Sequence, residues 1–465
     1  MPGTFFAINI GQSGLAAAQL GQDITGQNIA NTNTPGYSVQ SLDQTASDPY
    51  TSADRNTQLT PGLIGSGVSV SSIQRASDQF LDTQVRDANS NLQSQTTQSN
   101  ALRQVDNTFG EPSDTGLNAA LTKFFSAFHD VANTPENTGV RAAAVQQGAA
   151  LASTFQTVQA GLTAAASSLS GQASADVQAI NTDSAQIAAL NLSIQASTRG
   201  GQSPNDLLDQ RGALLDKLSG LANITVQSNP NGSVNVAIGA TALVTGTDSS
   251  SVSLSGLTAF GDLTGGALSG LSKAQTQVAA YQSQLNSAAA SVVSQVNSAQ
   301  ANGLDLNGNA GTPFWTATAG NEAATIAVNP DLEANPSHLA AASAPTPPAT
   351  FGAGDGSNAQ AIAGLLTKAV TTAGDPLTGQ SIQSYYQATV SDAGSRAAAA
   401  LSGVGTAQAG YTQLSNQRSS ETGVSTDTEL ANMLKYQRAY QASARVITTA
   451  DDMIGTLINN LFSAN

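Results

Sequence analysis

Residues 305–309 read Asp-Leu-Asn-Gly-Asn, the oxygen-rich opening of a calcium loop. Such a loop needs Gly at its sixth position for the sharp turn and a bidentate Glu at its twelfth. Those positions hold Ala310 and Thr316. The segment therefore predicts an Asn/Gly turn that delivers Phe314 and Trp315 to a core. The chain has two histidines and no cysteine. That removes thiol nucleophiles, disulfides and Cys-ligated metals, and two histidines alone fall short of a zinc ligand set. His129 lies on an otherwise apolar helical stretch and is expected to be structural. His338 follows the helix-start signal Asn335-Pro336-Ser337 and is expected at the surface. No Gly-x-Ser-x-Gly elbow and no Ser/His/Asp arrangement can be found. The carboxylates are scattered, with no pairing that would support glycoside hydrolysis. Gly65-Ser66-Gly67 lacks a third glycine and precedes a strand, so it is not a dinucleotide fingerprint. Asn191-Leu192-Ser193, Asn223-Ile224-Thr225 and Asn231-Gly232-Ser233 match a glycosylation acceptor, a match that arises often by chance in an Asn/Ser-rich chain. No catalytic residue, metal or cofactor is expected.

The chemistry that remains is non-covalent, and it concentrates at the two ends. The closing stretch opens Thr426-Asp427-Thr428-Glu429, a capping box in which Thr and Glu satisfy each other's orphan N–H groups. Met433, Tyr440, Ile447, Ile454 and Leu461 then recur in heptads. The companion row is Leu430, Gln437, Ala444, Asp451 and Ile458. This predicts a long helix whose sticky seam is interrupted by Gln437 and Asp451, and a helix like this cannot bury its stripe alone. Polar residues in a seam can fix register and partner choice. Residues 4–31 predict a second helix, with Ile10, Ala17 and Ile24 in one row, Ile8, Leu15 and Ile29 in the next, and Asp23 as the only charge. A solvated face normally carries Lys and Glu. Their absence suggests that this helix pairs with the closing one and with neighbours.

Composition narrows the class. Sixteen basic against 31 acidic residues give a net charge of −15. No basic stripe exists to meet phosphates or an anionic membrane, so neither nucleic-acid binding nor membrane adsorption is expected. No stretch of about eighteen apolar residues exists, so no membrane insertion is expected. The first basic residue is Arg55, so no charged n-region precedes an apolar core. The protein is expected to be cytoplasmic, or to leave by a route that reads something other than a cleaved leader. Only 10% of residues are charged and 5% aromatic, which suits subunits packed against one another and equally an exported protein with a bland surface.

Between the ends the period is mostly helical. Asn28 to Tyr37 (Asn-Ile-Ala-Asn-Thr-Asn-Thr-Pro-Gly-Tyr) stops the first helix; Pro35-Gly36 is a tight turn into an extended run, 37–45. A polar loop and the Gly-rich run Pro61–Gly67 lead to a strand at 68–73. Helices are expected at 78–109, with Phe80 in the apolar stripe, at 117–131, and at 139–199 as one helix or two bent near Gly161 or Gly171. Ser203-Pro204-Asn205-Asp206 reads as a Ser-capped helix start. Then the period becomes two: 224–226 and 234–238 flank the hairpin pair Asn231-Gly232, with further strands at 243–244 and 252–254. Helix returns at 266–301, 357–371 and 380–418, around an irregular segment with one strand at 325–328. The expected fold is mainly α: an elongated helical bundle built from paired N- and C-terminal segments, with a small β-rich insertion. The expected domains are 1–75 with 420–465 as a terminal assembly domain, 76–222 with 265–302 and 357–419 as a helical body, 223–264 as the β insertion, and 303–356 as the irregular segment.

The run Asn28 to Tyr37 resembles the N-terminal signature shared by bacterial flagellar rod, hook and hook-associated proteins. Glu429 to Ile447 resembles their shared C-terminal helix. Pro112-Ser113-Asp114-Thr115-Gly116-Leu117 with Phe124-Phe125 and Asp130–Asn133, then Pro204 to Arg211, Gly303 to Asn309 with Pro313-Phe314, and Asn329 to Leu332 resemble the hook-associated protein 1 family of the hook–filament junction. The resemblance covers essentially the whole chain. It implies a non-enzymatic structural protein, exported unfolded through the flagellar export apparatus and secreted to the flagellum. It implies a ring of copies between hook and filament, touching hook protein and the next hook-associated junction protein. It also implies a cytosolic export chaperone on the C-terminal region. Assembly would rest on Asn28, Asn31, Pro35, Gly36, Tyr37, Leu430, Met433, Gln437, Tyr440, Ile447, Asp451 and Ile454. Another axial protein of the rod/hook group, or a secreted cell-wall-acting enzyme on a helical scaffold, are the alternatives.

Overall fold

The computed structural model describes residues 5–48, 65–259, 263–344 and 351–462, with the side chains of 257–259 and 460–462 left aside. The Pro61–Ile64 part of the Gly-rich run, the polar loop before it and the Leu461 side chain lie outside these. In chain order the elements are α1 (Phe6–Ala30), β1 (Gln40–Ala46), β2 (Val68–Arg75), α2 (Gln79–Phe109), α3 (Leu117–Asn133), α4 (Thr138–Arg199), α5 (Asn205–Leu221), β3 (Thr225–Ser228), β4 (Val234–Ile238), β5 (Thr241–Thr245) and β6 (Asp248–Ser249). There follow α6 (Leu254–Ala259), α7 (Gly266–Asn302), β7 (Gly303–Leu304), β8 (Trp315–Thr316), α8 (Glu322–Thr325), β9 (Ala327–Val328), α9 (Pro330–Ala334), β10 (Ala342–Ser343), α10 (Ser357–Gly364), α11 (Ile382–Thr422) and α12 (Thr426–Phe462). The fold is mainly α with small antiparallel sheets, as the periodicity predicts. Between Gly139 and Arg199 the chain is a single helix, unbroken at Gly161 and Gly171 within the 62 residues of α4.

Two compact units organise the chain. One comprises Met1–Asn91, Val177–Gly266 and Gln408–Asn465. It holds both ends of the chain, the β1–β2 hairpin, α5 and the four-stranded sheet β3-β4-β5-β6. In that sheet Val234, Val236 and Ile238 alternate inward and are almost fully buried, the signature of a strand with one covered face. Asn231-Gly232 belongs to a five-residue loop, 229–233, and not to a two-residue turn: the Asn229 N–H donates to Ser233 O, and Gly232 takes φ +85°. The strand expected at 252–254 does not form. Both backbone groups of Val252 are taken by the Asn181 side chain on α4, and Leu254 opens α6.

The other unit comprises Leu92–Asp176 and Ala267–Ala407. Its core is aromatic. Leu117, Leu121, Phe124, Phe125, Phe128 and Val131 follow the helical period along α3 and are all buried. Phe314 and Trp315 join them, with ring centroids 5.3 and 5.2 Å from Phe124. Burying each such ring contributes roughly 1.5–3 kcal/mol. The turn expected to deliver them does so: the Asp305 carboxylate accepts from the Asn307 and Asn309 N–H groups at 2.8 Å each, an Asx turn and not a metal loop. His129 is exposed, bonded to Asn133 at 3.1 Å, so it is no core residue. His338 is half-exposed and pairs with Asp331 at 2.7 Å. Phe80, in the other unit, is 73% exposed and stands outside the stripe assigned to it. The strand expected at 325–328 is only two residues long, because Thr325 closes α8.

Candidate assembly site at the paired chain ends

α1 and α12 pack along one another antiparallel. The positions that meet are Gly11 with Ile447, Gly14 with Ser443, and Gly21 with Tyr436. Asn28 then meets Glu429. From Gly14 to Gly21 to Asn28, each step of seven along α1 matches a step of seven back along α12, and Gly11 to Gly14 spans three residues against the four from Ile447 to Ser443. Glycine is required here. A Cβ on Gly11 would stand 2.6 Å from Ile447 Cγ1, and one on Gly21 would stand 2.5 Å from the Tyr436 ring. The α1 face against α12 is therefore Gly11, Gly14, Ala18, Gly21, Thr25 and Asn28. Ala17 and Ile24, from the row read as apolar, are also buried, while Ile8, Ile10, Leu15 and Ile29 are only half-buried. Ile10 and Ser13 lie instead beside Gly67 at the start of the β2 strand.

Asn28 is the hub of the site. Its amide donates to Gln40 O at 2.8 Å and to Glu429 Oε2 at 2.9 Å. Its carbonyl accepts from the Tyr37 hydroxyl at 2.8 Å and from the Gln40 N–H at 3.1 Å. Two donors and two acceptors are the full capacity of an Asn side chain. All are used at a position 1% exposed. One residue thus ties together α1, the turn that follows it, β1 and α12. Asn31 caps the end of α1, and its side chain accepts from Thr34 Oγ1 at 3.0 Å. Pro35 and Gly36 are exposed, and Gly36 sits at φ +81°, the left-handed region that glycine enters freely, in the turn between α1 and β1. Tyr37 is half-buried. Burial first, then the carboxylates of Asp206, Asp209 and Glu429, push its phenol up to about 12.

Glu429 corrects the capping-box expectation. Ser425 stands before the helix and accepts from the Thr428 N–H at 3.4 Å, while Glu429 is 5% exposed and turned to Asn28. A carboxylate with a buried amide donor in reach gains more there than at a solvated helix end. Ser203 is likewise no cap. The residue before α5 is Pro204, without a side-chain cap bond. The polar side chains of α5 turn to the terminal elements instead. Asn205 donates to Gln40 Oε1 at 3.2 Å and to Ile73 O at 3.0 Å. Asp206 accepts from Gln40 Nε2 at 3.1 Å, and Asp209 accepts from the Ser38 N–H at 3.2 Å and pairs with Arg75.

The closing helix carries its covered row one position ahead of the expected companion row. Glu429, Tyr436, Ser443 and Ala450 face inward, with Met433, Ile447 and Ile454 half-buried beside them. Leu430, Gln437, Asp451 and Ile458 are exposed and lie outside the α1 seam. Tyr440 is at the edge, 38% exposed. The structure thus places Asn28 and Tyr37 at one end of the α1–α12 contact and Ile447 at the other, and leaves Leu430, Gln437 and Asp451 on the open side. Gln40, Asn205, Asp206, Asp209, Glu429 and the three glycines were not legible from apolar spacing.

Residues 8–37 match the family described as flagella basal body rod protein, and residues 415–461 match the flagellar basal body rod FlgEFG protein C-terminal family. These are the two packed ends. Residues 102–315 match the flagellar hook-associated protein FlgK helical domain. The chain is 27% identical to flagellar hook-associated protein 1 of Bacillus subtilis over 99% of both chains. Along its whole length, then, the chain is similar to flagellar hook-associated protein 1. The Escherichia coli hook-associated protein 1 is 25% identical, across 97% of this chain and 99% of that protein. The Salmonella typhimurium hook-associated protein 1 is 32% identical over a shorter stretch, 49% of this chain and 40% of that protein. The solved flagellar hook junction protein FlgK from Burkholderia pseudomallei has the same fold across 73% of this chain and 100% of its own, with a TM-score of 0.62 at 19% identity. Against the hook-associated protein 1 background, the Pro204–Arg211 run is the α5 clasp on β1 and β2 just described.

Proposed function

We propose that the chain is a structural axial protein of the bacterial flagellum that forms the hook–filament junction by subunit packing through α1 and α12. The carrying observation is the two-sided character of α12. One side is committed to α1, while the other leaves Leu430, Leu434, Val446, Met453, Leu457 and Ile458 between 44% and 57% exposed. Apolar surface of that kind gains roughly 25 cal/mol per Å² when covered, before entropic costs. A neighbouring copy with its own α12 is the cover. The sites of assembly are those named from the sequence, with Asn28 and Tyr37 holding the pair and Leu430, Gln437 and Asp451 meeting neighbours. The terminal segments 1–75 and 420–465 are the assembly domain, the helical body and the β insertion 223–264 are carried outside it, and 303–356 is an adjunct to the body. Hook protein and the next junction protein are the axial neighbours, the flagellar export apparatus is the exit route, and a cytosolic chaperone holds the C-terminal region beforehand. No catalytic role is assigned.

Electron microscopy of a deletion strain is the direct test: hooks present with filaments shed is the expected phenotype, and intact filaments would overturn the reading. Deleting 426–465 should abolish ring incorporation. A muralytic assay on the purified protein should show no activity.

A further inference from the structure

The unit that holds both chain ends contains a local cluster in which arginines outnumber the carboxylates they pair with. Arg75 pairs with Asp209, Arg86 with Asp216 at 2.9 Å, and Arg418 with Asp216 at 2.7 Å and Asp82 at 3.6 Å. Three carboxylates thus serve three guanidinium groups. Arg211 has none among the described residues. Its Nη1 donates only to neutral acceptors, Asn191 Oδ1 at 2.9 Å and Gly232 O at 2.7 Å. Burial, then the nearby charges of Arg75 and Arg86, lower its guanidinium to about 10. Arg75, Arg86 and Arg211 line one pocket of about 210 Å³ with Asp82 as its single acid and Leu208 and Val226 among its walls. Asp209 and Asp216 offset Arg75 and Arg86, but Arg211 has no such partner among the described residues and is still repelled by both neighbouring guanidinium groups. An entering anion would relieve that repulsion and meet fork-shaped donors suited to two oxygens.

We propose that this pocket is an oxyanion site, built to take a carboxylate or phosphate group. Two sources supply that chemistry: an acidic side chain of a neighbouring copy, from a chain with 31 acids and a net charge of −15, or a small free anion. Only the first source rests on the assembly reading.

The test starts with the full chain as a monomer. Inorganic phosphate and N-acetylglutamate are titrated while the Arg Nε–H resonances are followed by NMR. Shifts confined to Arg75, Arg86 and Arg211, with chloride inert, are the expected result. Arg211→Gln should weaken binding by about tenfold or more, since a hydrogen bond to a charged group is removed. Thr83 lines the same pocket and is exposed. Thr83→Glu should therefore supply the anion internally: it should raise the melting temperature and abolish the response to both probes, whereas Thr83→Gln should keep it. No shift with either probe, or an unchanged response in Thr83→Glu, overturns the site. Ring formation then separates the sources. If Arg211→Gln loses anion binding and also assembly, the ligand is a neighbour's carboxylate. If it loses anion binding alone, the ligand is a free anion.

Discussion

Asn28 and Glu429 are 401 positions apart in the chain and share a hydrogen bond of 2.9 Å between two buried side chains. Neither residue could be satisfied without the other. Asn28 would lose a donor's partner, and the buried Glu429 carboxylate would keep only the longer bond from the Asn432 amide, at 3.4 Å. Removing Asn28 therefore takes a partner from four groups at once: Glu429, the Tyr37 hydroxyl, the Gln40 N–H and the Gln40 carbonyl. Asn28→Ala should destabilise the terminal pair by roughly 2–4 kcal/mol. Urea unfolding measures the loss, and hydrogen exchange should place it in α1 and α12. Asn28→Asp should be at least as damaging, because it sets a second carboxylate against Glu429.

The glycine seam makes a prediction with an internal control. Gly21→Leu should separate α1 from α12, because Tyr436 already occupies the space of a Cβ. Gly26, on the same helix, has nothing within 4 Å of its missing Cβ. Gly26→Ala should stabilise by about 0.5–1 kcal/mol through backbone entropy alone. Thermal melting of both variants checks this, and equal effects would refute the seam.

Alkaline pH should loosen the site. The Tyr37 phenol is raised to about 12, chiefly by burial, against about 10 in an unfolded chain. Its contribution is therefore complete below pH 10 and falls as pH rises towards 12, where the unfolded chain ionises first. Tyr281 is raised to about 12 and Tyr386 is raised as well, both chiefly by burial, in the other unit. Tyr37→Phe should flatten the alkaline limb for α1 and leave the other unit's limb in place. Hydrogen exchange resolved by segment across pH 9–12 would show it.

The open side of α12 should be separable from its inner side. Leu430→Gln with Leu434→Gln should change monomer stability by less than about 0.5 kcal/mol, as exposed substitutions do, yet impair assembly. Gln437→Leu with Asp451→Leu should be equally silent for the monomer, since both residues are exposed, but should raise self-association and impair ordered assembly. Sedimentation of the monomer and complementation of a deletion strain are the two measurements. Normal assembly in the second double variant would reduce Gln437 and Asp451 to solvated positions.

The helices were legible because Leu, Phe and Val recur at helical spacing where one face is buried, as in α3 and α4. The α1 seam was not, because glycine and alanine give no hydrophobic signal. The contact they make depends on the Tyr436 and Ile447 side chains of a helix hundreds of residues away. The two misread caps share one cause. Glu429 and the α5 polar residues have local partners available, and the sequence displays only those. The long-range partners Asn28 and Gln40 win because they are buried, where an unpaired polar group is costly. Val252 shows the same competition: a strand-like run whose backbone is claimed by Asn181 on another element. For the residues proposed for assembly, the turn at Pro35-Gly36-Tyr37 stood out in the sequence, while the row facing α1 was offset by one residue. A spacing of seven fixes a stripe's period but not which of two adjacent rows is covered.

The antiparallel register of α1 and α12 also makes the protein a clasp whose two halves are joined by hundreds of intervening positions. An unfolded chain pays a closure entropy that grows with the logarithm of the intervening length. Across 401 positions that cost falls sharply once the segments between have folded and brought the halves near. A chain kept unfolded in its middle would thus keep its ends apart. Readiness to assemble would then report on the folding of everything in between, and a subunit with a damaged interior would arrive with its clasp open.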